Sequence, residues 1–267
     1  MRERILLAYS GTLASSAAAA WLAERHGAEV ATVTLDVGQT GDLDEVRDRA
    51  LACGAVRAHV IDARDAFARD SVIPALRDAS GRALDTLAHP LIARTLVEIA
   101  AIEAADAVAH ASPGMALDRE IATGDPTLRI VAPAREWDMD DSALIDYARA
   151  RHLPIGPTRE PHLLTRRAVD PARAATTDAA LAIAFEGGLP VSINGVSMAL
   201  QELIESLSLI GGQHGIGYAA AVVAPAADIL RAAYAAAGGS SGTVRLTLHN
   251  GACSVLAAQT PELVNHP

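Results

Sequence analysis

Near the amino terminus, a short apolar run leads into a serine- and glycine-rich turn whose residue types can hold a phosphate. Residues 5–9 (ILLAY) predict a buried strand, and residues 10–16 (SGTLASS) follow directly. Amides at the start of a helix lack intrahelical acceptors and lie at the positive end of the helix dipole. Glycine lets the backbone approach a phosphate, and hydroxyls add donors. An ordinary serine N-cap without a ligand fits the same pattern, so spacing alone leaves both interpretations open.

The basic residues of the chain are all arginine, which excludes two kinds of chemistry. The 267 residues include 22 arginines and no lysine, so neither a lysine-dependent P-loop nor a Schiff-base lysine can form. The net charge of −10 argues against a nucleic-acid-binding surface.

Composition also bears on location. Two cysteines do not make a secreted disulfide scaffold, and we find neither a signal peptide nor an uncharged apolar run long enough for a membrane span. We therefore expect a cytoplasmic protein with no membrane partner.

Strand and helix patterns alternate through residues 1–155, the predicted first domain. The predicted strands are 5–9, 30–35, 58–61, 107–109 and 130–132, and the predicted helices are 13–26, 42–53, 64–77, 90–105 and 142–151. This alternation indicates parallel βαβ units and a doubly wound α/β sheet. Ligands of such sheets bind beyond the carboxyl ends of the strands, here residues 9–12, 35–39 and 109–114.

The last third of the chain has a different character. Residues 156–177 are proline-rich and aperiodic, which predicts a linker. Residues 178–267 predict a smaller α+β domain with hairpins around 186–190 and around Asn250 and Gly251, and with helices over 200–209 and 226–237.

Several blocks of sequence, in order along nearly the whole chain, resemble the argininosuccinate synthase family of N-type ATP pyrophosphatases. The turn resembles the family's Ser-Gly-Gly-x-Asp-x-Ser loop. Further matching blocks are 35–39 (LDVGQ), 59–64 (HVIDAR), 90–93 (PLIA), 132–137 (APAREW), 185–186 (FE), 194–195 (NG), 214–217 (HGIG) and 242–245 (GTVR).

The resemblance implies an N-type ATP pyrophosphatase-like fold and an ATP-dependent, AMP-forming ligase that joins aspartate to citrulline, with Mg²⁺ accompanying the nucleotide. It also implies small-molecule substrates and a homo-oligomer. It assigns the ATP contacts to Ala8, Tyr9, Ser10, Gly11, Thr12, Ser15, Ser16, Leu35, His89 and Ala111. It assigns the amino-acid substrate contacts to Thr86 and Asp118. Asp36, Asp62 and Asp118 are too scattered in sequence to indicate a metal site, so we expect no metal-ligating side chain.

The chain departs from the family pattern at the site itself. The second loop glycine is Thr12 and the loop aspartate is Ala14. In the substrate loop, the family's Thr, Lys, Asn and Arg positions hold Pro113, Met115, Leu117 and Ile121. If Leu117 and Ile121 faced a polar substrate, each unpaired group would cost about 1–3 kcal/mol.

Three hypotheses follow. The first is an AMP-forming ligase that joins an amine to an activated ureido or carbonyl carbon. The second is a catalytically impaired pseudoenzyme that acts as a binding or regulatory module. The third is a structural partner of a full-length paralogue. His110 ends a predicted strand, and we interpret it as a packed histidine rather than a catalytic acid.

Overall fold

The computed structural model describes residues 2–38, 42–77, 87–154, 175, 177–216, 224–238 and 241–259. The chain divides into two compact units. The first comprises Met1–Ala63 and Thr86–His162, and the second comprises Arg64–Asp85 and Leu163–Pro267. Residues 64–85, which the sequence-based boundaries place in the first domain, therefore belong to the second unit.

The first unit contains a five-stranded parallel sheet. Its strands are β1 (Arg4–Ala8), β2 (Glu29–Asp36), β3 (Arg57–Asp62), β4 (Ala107–His110) and β5 (Arg129–Val131), in the order β3-β2-β1-β4-β5. The chain proceeds from β1 to one side through β2 and β3, then continues on the other side of β1 with β4. This reversal confirms the predicted doubly wound sheet and puts its switch point between β1 and β4.

The helices of the first unit are α1 (Leu13–His26), α2 (Leu43–Ala52), α5 (His89–Glu103), α6 (Ala116–Gly124), α7 (Pro133–Glu136) and α8 (Asp141–Ala150). Helices α1, α2, α5 and α7 contact the strands, whereas α6 packs against α5 and α8 packs against α1. The four consecutive alanines at 17–20 are all buried, so α1 can approach the strands closely. Trp21 of α1 meets Trp137 edge to face, with ring centroids 6.1 Å apart.

Helix α6 differs from the prediction, which treats residues 111–121 as a substrate loop. Leu117 and Ile121 are one helical turn apart and are both buried, which anchors the helix in the core. Both side chains therefore lie in the core of the unit and not on an accessible loop surface.

The second unit begins with α3 (Arg64–Phe67), a π-helical turn over Ala68–Val72 and α4 (Ile73–Arg77). The wide turn ends two residues before Pro74, which has no amide to donate a helical hydrogen bond. Helices α9 (Leu200–Gln213) and α10 (Ala224–Ala237) belong to the same unit.

The sheet of the second unit is antiparallel. Its strands are β6 (Ala179–Glu186), β7 (Leu189–Ile193), β8 (Val196–Ser197), β9 (Gly242–His249) and β10 (Ala252–Gln259), in the order β10-β9-β6-β7-β8. Alternate residues Leu181, Ile183 and Phe185 of β6 are buried. Both predicted hairpins are present, and the β9–β10 turn has positive φ at Asn250 (44°) and Gly251 (82°). Among the described residues, no helix has the length and apolarity that a membrane span requires.

Candidate functional site

The loops that follow β1 and β4 meet at the switch point of the parallel sheet. Ala8, the last residue of β1, is paired with His110, the last residue of β4. The β1 loop (residues 9–12) leads into α1, and the β4 loop (residues 111–115) leads into α6. Ligands of doubly wound sheets bind in the crevice at this position.

Backbone geometry separates the two loop positions at which the family pattern has glycine. Gly11 has a φ of 79°, a left-handed conformation that favours glycine. Thr12 has φ −68° and ψ 164°, which any residue adopts, so threonine causes no backbone strain there. Thr12 is instead the N-cap of α1, and its Oγ1 accepts the Ser15 amide at 3.4 Å.

The loop hydroxyls form a cluster of their own. Ser10 Oγ lies 3.1 Å from Thr12 Oγ1, and Thr12 Oγ1 lies 3.2 Å from Ser15 Oγ. The Ser15 hydroxyl also donates to the Thr12 carbonyl at 3.1 Å. Ser10 and Thr12 are half-buried, so these two hydroxyls are partly accessible from solvent.

A second hydroxyl pair lies beneath the loop. Tyr9 and Ser16 are both buried, and Tyr9 Oη lies 2.9 Å from Ser16 Oγ. Burial raises the pKa of Tyr9 well above its ordinary value. These two side chains therefore support the loop from inside, and their assignment as direct ATP contacts stays a prediction.

The first turn of α1 keeps amide donors for a ligand. The amide of Ser16 donates to the Thr12 carbonyl at 2.9 Å. Within the described part of the chain, no acceptor is found for the amides of Thr12, Leu13 and Ala14. No acidic residue lies in this turn either, so nothing there repels an anion. The donor set fits the phosphate tail of a nucleotide.

The remaining ATP-contact predictions lie around the same edge of the sheet. Ala8 ends β1, Leu35 is near the end of β2, Ala111 follows β4, and His89 begins α5. The His89 side chain is close enough to His110 to influence its pKa. Thr86, predicted to contact the amino-acid substrate, lies outside the described residues.

Asp118 of α6 joins a three-residue cluster at the end of β4, in which His110 and Asp118 are buried and Arg135 is exposed. Arg135 makes two hydrogen bonds to its carboxylate, of 2.9 Å to Oδ2 and 2.5 Å to Oδ1. His110 Nε2 lies 3.1 Å from Asp118 Oδ2, and His110 Nδ1 accepts the Ser112 amide at 3.2 Å. Arg135 also donates to the Gly114 carbonyl at 3.1 Å. The cluster thereby ties down both ends of the β4 loop.

The electrostatics of this cluster favour a neutral histidine and an ionised aspartate. Burial lowers the pKa of His110, and the Asp118 charge only partly offsets that effect. Burial acts to raise the pKa of Asp118, but the Arg135 hydrogen bonds and the His110 interaction outweigh it, and the net pKa is lowered. With both ring nitrogens engaged, His110 is a packed histidine, as the sequence predicts. Asp118 has internal partners for both carboxylate oxygens, so its role in substrate binding stays a prediction.

Metal ligands are scarce among these side chains. The described residues contain no group of three or more His, Cys, Asp or Glu placed to hold a metal ion. Mg²⁺ bound to a nucleotide is held mostly by phosphate oxygens and water, so it does not require such a group of side chains.

Comparisons with known proteins define the class of the two units. Residues 4–154 match the family profile described as "Arginosuccinate synthase N-terminal HUP domain", and residues 152–223 match "Arginosuccinate synthase C-terminal domain". The first unit is thus a HUP domain, in agreement with its doubly wound sheet and switch-point loops. Local sequence patterns do not reveal two residues of this site. Arg49 donates to the Gly11 carbonyl, 38 positions away, and Arg135 donates to Asp118, 17 positions away.

Curated relatives agree with the profiles. The chain is 36% identical over 252 residues to the argininosuccinate synthase of Oceanobacillus iheyensis, covering 81% of this chain and 60% of that protein. It is 36% identical over 251 residues to that of Nitratidesulfovibrio vulgaris, covering 80% and 63%. Among solved structures, the U34-tRNA thiolase NcsA of Methanococcus maripaludis aligns over 60% of this chain with a TM-score of 0.41 and 13% identity.

The chain belongs to the argininosuccinate synthase family. It spans about three fifths of the length of the curated relatives it matches.

Proposed function

We propose that this protein is an ATP-dependent, AMP-forming ligase that joins an amine to an activated ureido or carbonyl carbon. In the reaction of the family, the citrulline ureido oxygen attacks the α-phosphorus of ATP and pyrophosphate leaves. The α-amine of aspartate then displaces AMP. Citrulline and aspartate are the first substrates to test here, and the protein would act in the cytoplasm as a homo-oligomer.

One observation carries the proposal: the β1 loop keeps a donor-rich helix start at the switch point. Gly11 retains its left-handed backbone, and the amides of Thr12, Leu13 and Ala14 have no acceptor among the described residues. These amides would hold the phosphate chain and stabilise charge on the departing pyrophosphate. Positioning of this kind needs no lysine and no general acid.

The substrate side of the site is built for rigidity. Arg135 donates to the Gly114 carbonyl, and His110 accepts the Ser112 amide. Asp118 joins these two side chains and so fixes the loop between them. A loop held in this way can orient an acceptor molecule against the α-phosphate without itself reacting. The side chains at its tip are Pro113 and Met115, both exposed. We therefore expect weaker selection for a polar amine than the family pattern would give.

The test is pyrophosphate release from ATP and Mg²⁺ by the purified full chain. Citrulline with aspartate is assayed first, followed by a panel of other ureido or carbonyl acceptors paired with amines. Release that requires both an acceptor and an amine, with AMP formed in equal amount, supports the ligase. Folded protein that stays silent across the panel counts against it.

A second candidate, a pseudoenzyme that binds nucleotide without turnover, is favoured by Ala14 and by the internal bonding of the loop hydroxyls. It predicts saturable ATP binding with no pyrophosphate release, and release only after the aspartate at position 14 and the substrate-loop residues are restored. Turnover of citrulline, ATP and aspartate by the unmodified chain would eliminate it.

A further inference from the structure

Arg49, a half-buried residue of α2, makes a hydrogen bond to the backbone of the β1 loop. Its Nη1 donates to the Gly11 carbonyl at 2.9 Å, reaching back 38 residues. Glu45 lies one turn earlier on the same helix, where an ion pair would be expected. Among the described residues no carboxylate pairs with Arg49, so its positive charge is directed at the β1 loop.

The packing around Gly11 holds the guanidinium in place. A Cβ at Gly11 would lie 3.1 Å from Arg49 Nη1 and 3.1 Å from Val46 Cγ2. The side chain therefore occupies the space that the glycine leaves. Arg49 also influences the base of the loop: its charge opposes the rise that burial causes in the pKa of Tyr9.

The peptide between Gly11 and Thr12 links Arg49 to the ligand side of the loop. No cis peptide bond is present in the described chain, and in a trans peptide the C=O and N–H groups point in opposite directions. Arg49 thus lies behind this peptide, and the Thr12 amide points away from it. A hydrogen bond from a cation to the carbonyl fixes the peptide orientation and polarises its N–H.

We infer that Arg49 is a positioning residue for the phosphate tail of the nucleotide, acting through the Gly11–Thr12 peptide. The inference rests on the proposed function, because it requires ATP to bind at the β1 loop. In a chain without lysine, this arginine supplies positive charge next to the loop amides. Its effect is confined to phosphate groups and does not extend to the nucleoside.

The matched variants are Arg49→Met and Arg47→Met, which remove the same charge from the same helix. Arg47 faces solvent and pairs with Asp44 and Asp48 at 3.0 and 3.1 Å, so it is the control. Calorimetric dissociation constants are measured for ATP with Mg²⁺, for inorganic pyrophosphate and for adenosine. We expect Arg49→Met to weaken ATP and pyrophosphate about tenfold, equivalent to ~1.4 kcal/mol, and to leave adenosine within about twofold.

Two further variants separate charge from hydrogen bonding. Arg49→Gln keeps an N–H donor without the charge, and Arg49→Lys keeps the charge. Compared with Arg49→Met, both variants should regain part of the lost ATP affinity. Only Arg49→Lys should also regain the dependence of that affinity on ionic strength. A purely structural role would not produce this split.

The outcomes are distinguishable. If the wild-type chain binds no ATP, the proposed function fails and this inference fails with it. If the wild type binds ATP and Arg49→Met behaves like Arg47→Met, the inference alone is overturned. Equal losses for ATP and adenosine in Arg49→Met also overturn it, because they indicate a general loss of loop structure.

Discussion

Replacing Asp118 with asparagine tests whether the cluster of Asp118, His110 and Arg135 holds the β4 loop in place. The Asp118 side chain is 11% exposed and accepts two hydrogen bonds from Arg135 and one contact from His110. Asparagine has nearly the same shape but lacks the charge and accepts through one oxygen only. The substitution therefore isolates the electrostatic part of the cluster.

The magnitude follows from the contacts. A hydrogen bond to a charged group contributes about 1.5–3 kcal/mol, and breaking a fully buried ion pair costs about 3–5 kcal/mol. Arg135 keeps 29% of its side chain exposed, so water can partly replace the lost carboxylate. We expect Asp118→Asn to lower the free energy of unfolding of the first unit by about 2 kcal/mol, or its melting temperature by about 4–8 °C.

Tryptophan fluorescence during urea unfolding suits this measurement, because both tryptophans of the chain, Trp21 and Trp137, lie in the first unit. The control is Asp146→Asn on α8, where the aspartate side chain is 75% exposed and lies 3.7 Å from Arg149. The control should change stability by less than about 0.5 kcal/mol. An Asp118→Asn chain as stable as the control would refute the structural role of the cluster.

Three other predictions concern the same unit. Gly11→Ala should destabilise the first unit by about 2 kcal/mol in urea unfolding and weaken ATP binding, because the new Cβ meets atoms at 3.1 Å at a position with a φ of 79°. The control Gly27→Ala, at a φ of 61° with nothing within 4 Å of the new Cβ, should cost only about 1 kcal/mol. Ala14→Asp should stabilise the unit by about 0.5 kcal/mol in the same assay, because a carboxylate in the first turn of α1 interacts well with the helix dipole, and Ala14→Asn should give little of this gain. The free energy of unfolding should fall as the pH drops below the ordinary histidine pKa of 6.5, because burial lowers the pKa of His110 in the folded chain and the unfolded chain binds the proton more readily. A wild-type urea midpoint that is flat from pH 7 to 5 would contradict this.

Local patterns allowed many elements of both units to be predicted. Helix α1 has the predicted bounds because its alanine-rich run begins at a serine-rich turn and ends at Gly27, whose φ is 61°. The β9–β10 hairpin follows from Asn250 and Gly251, which readily adopt positive φ. Helix α6 was missed although Leu117 and Ile121 have helical spacing, because Pro113 and Gly114 just before it favour a loop.

The candidate site was only partly predictable. The β1 loop is a local motif, so its backbone role is visible in sequence. The partners of its groups are not local: Arg49 comes from the next helix, and its neighbours Asp44, Glu45, Arg47 and Asp48 resemble an ordinary solvated helix face. Arg135 likewise reaches Asp118 only because α7 follows β5, the strand beside β4. Contacts of this kind depend on strand order, which periodicity does not specify.

The central claim is that the first turn of α1 still accepts the phosphate chain of a nucleotide. Calorimetric titration of the wild-type chain with ATP and Mg²⁺ tests it most directly. The account predicts saturable heat with one ATP per chain, weaker binding of AMP, and loss of ATP affinity in Gly11→Ala. Folded protein that gives no heat with ATP, or that binds ATP and AMP equally, would contradict it.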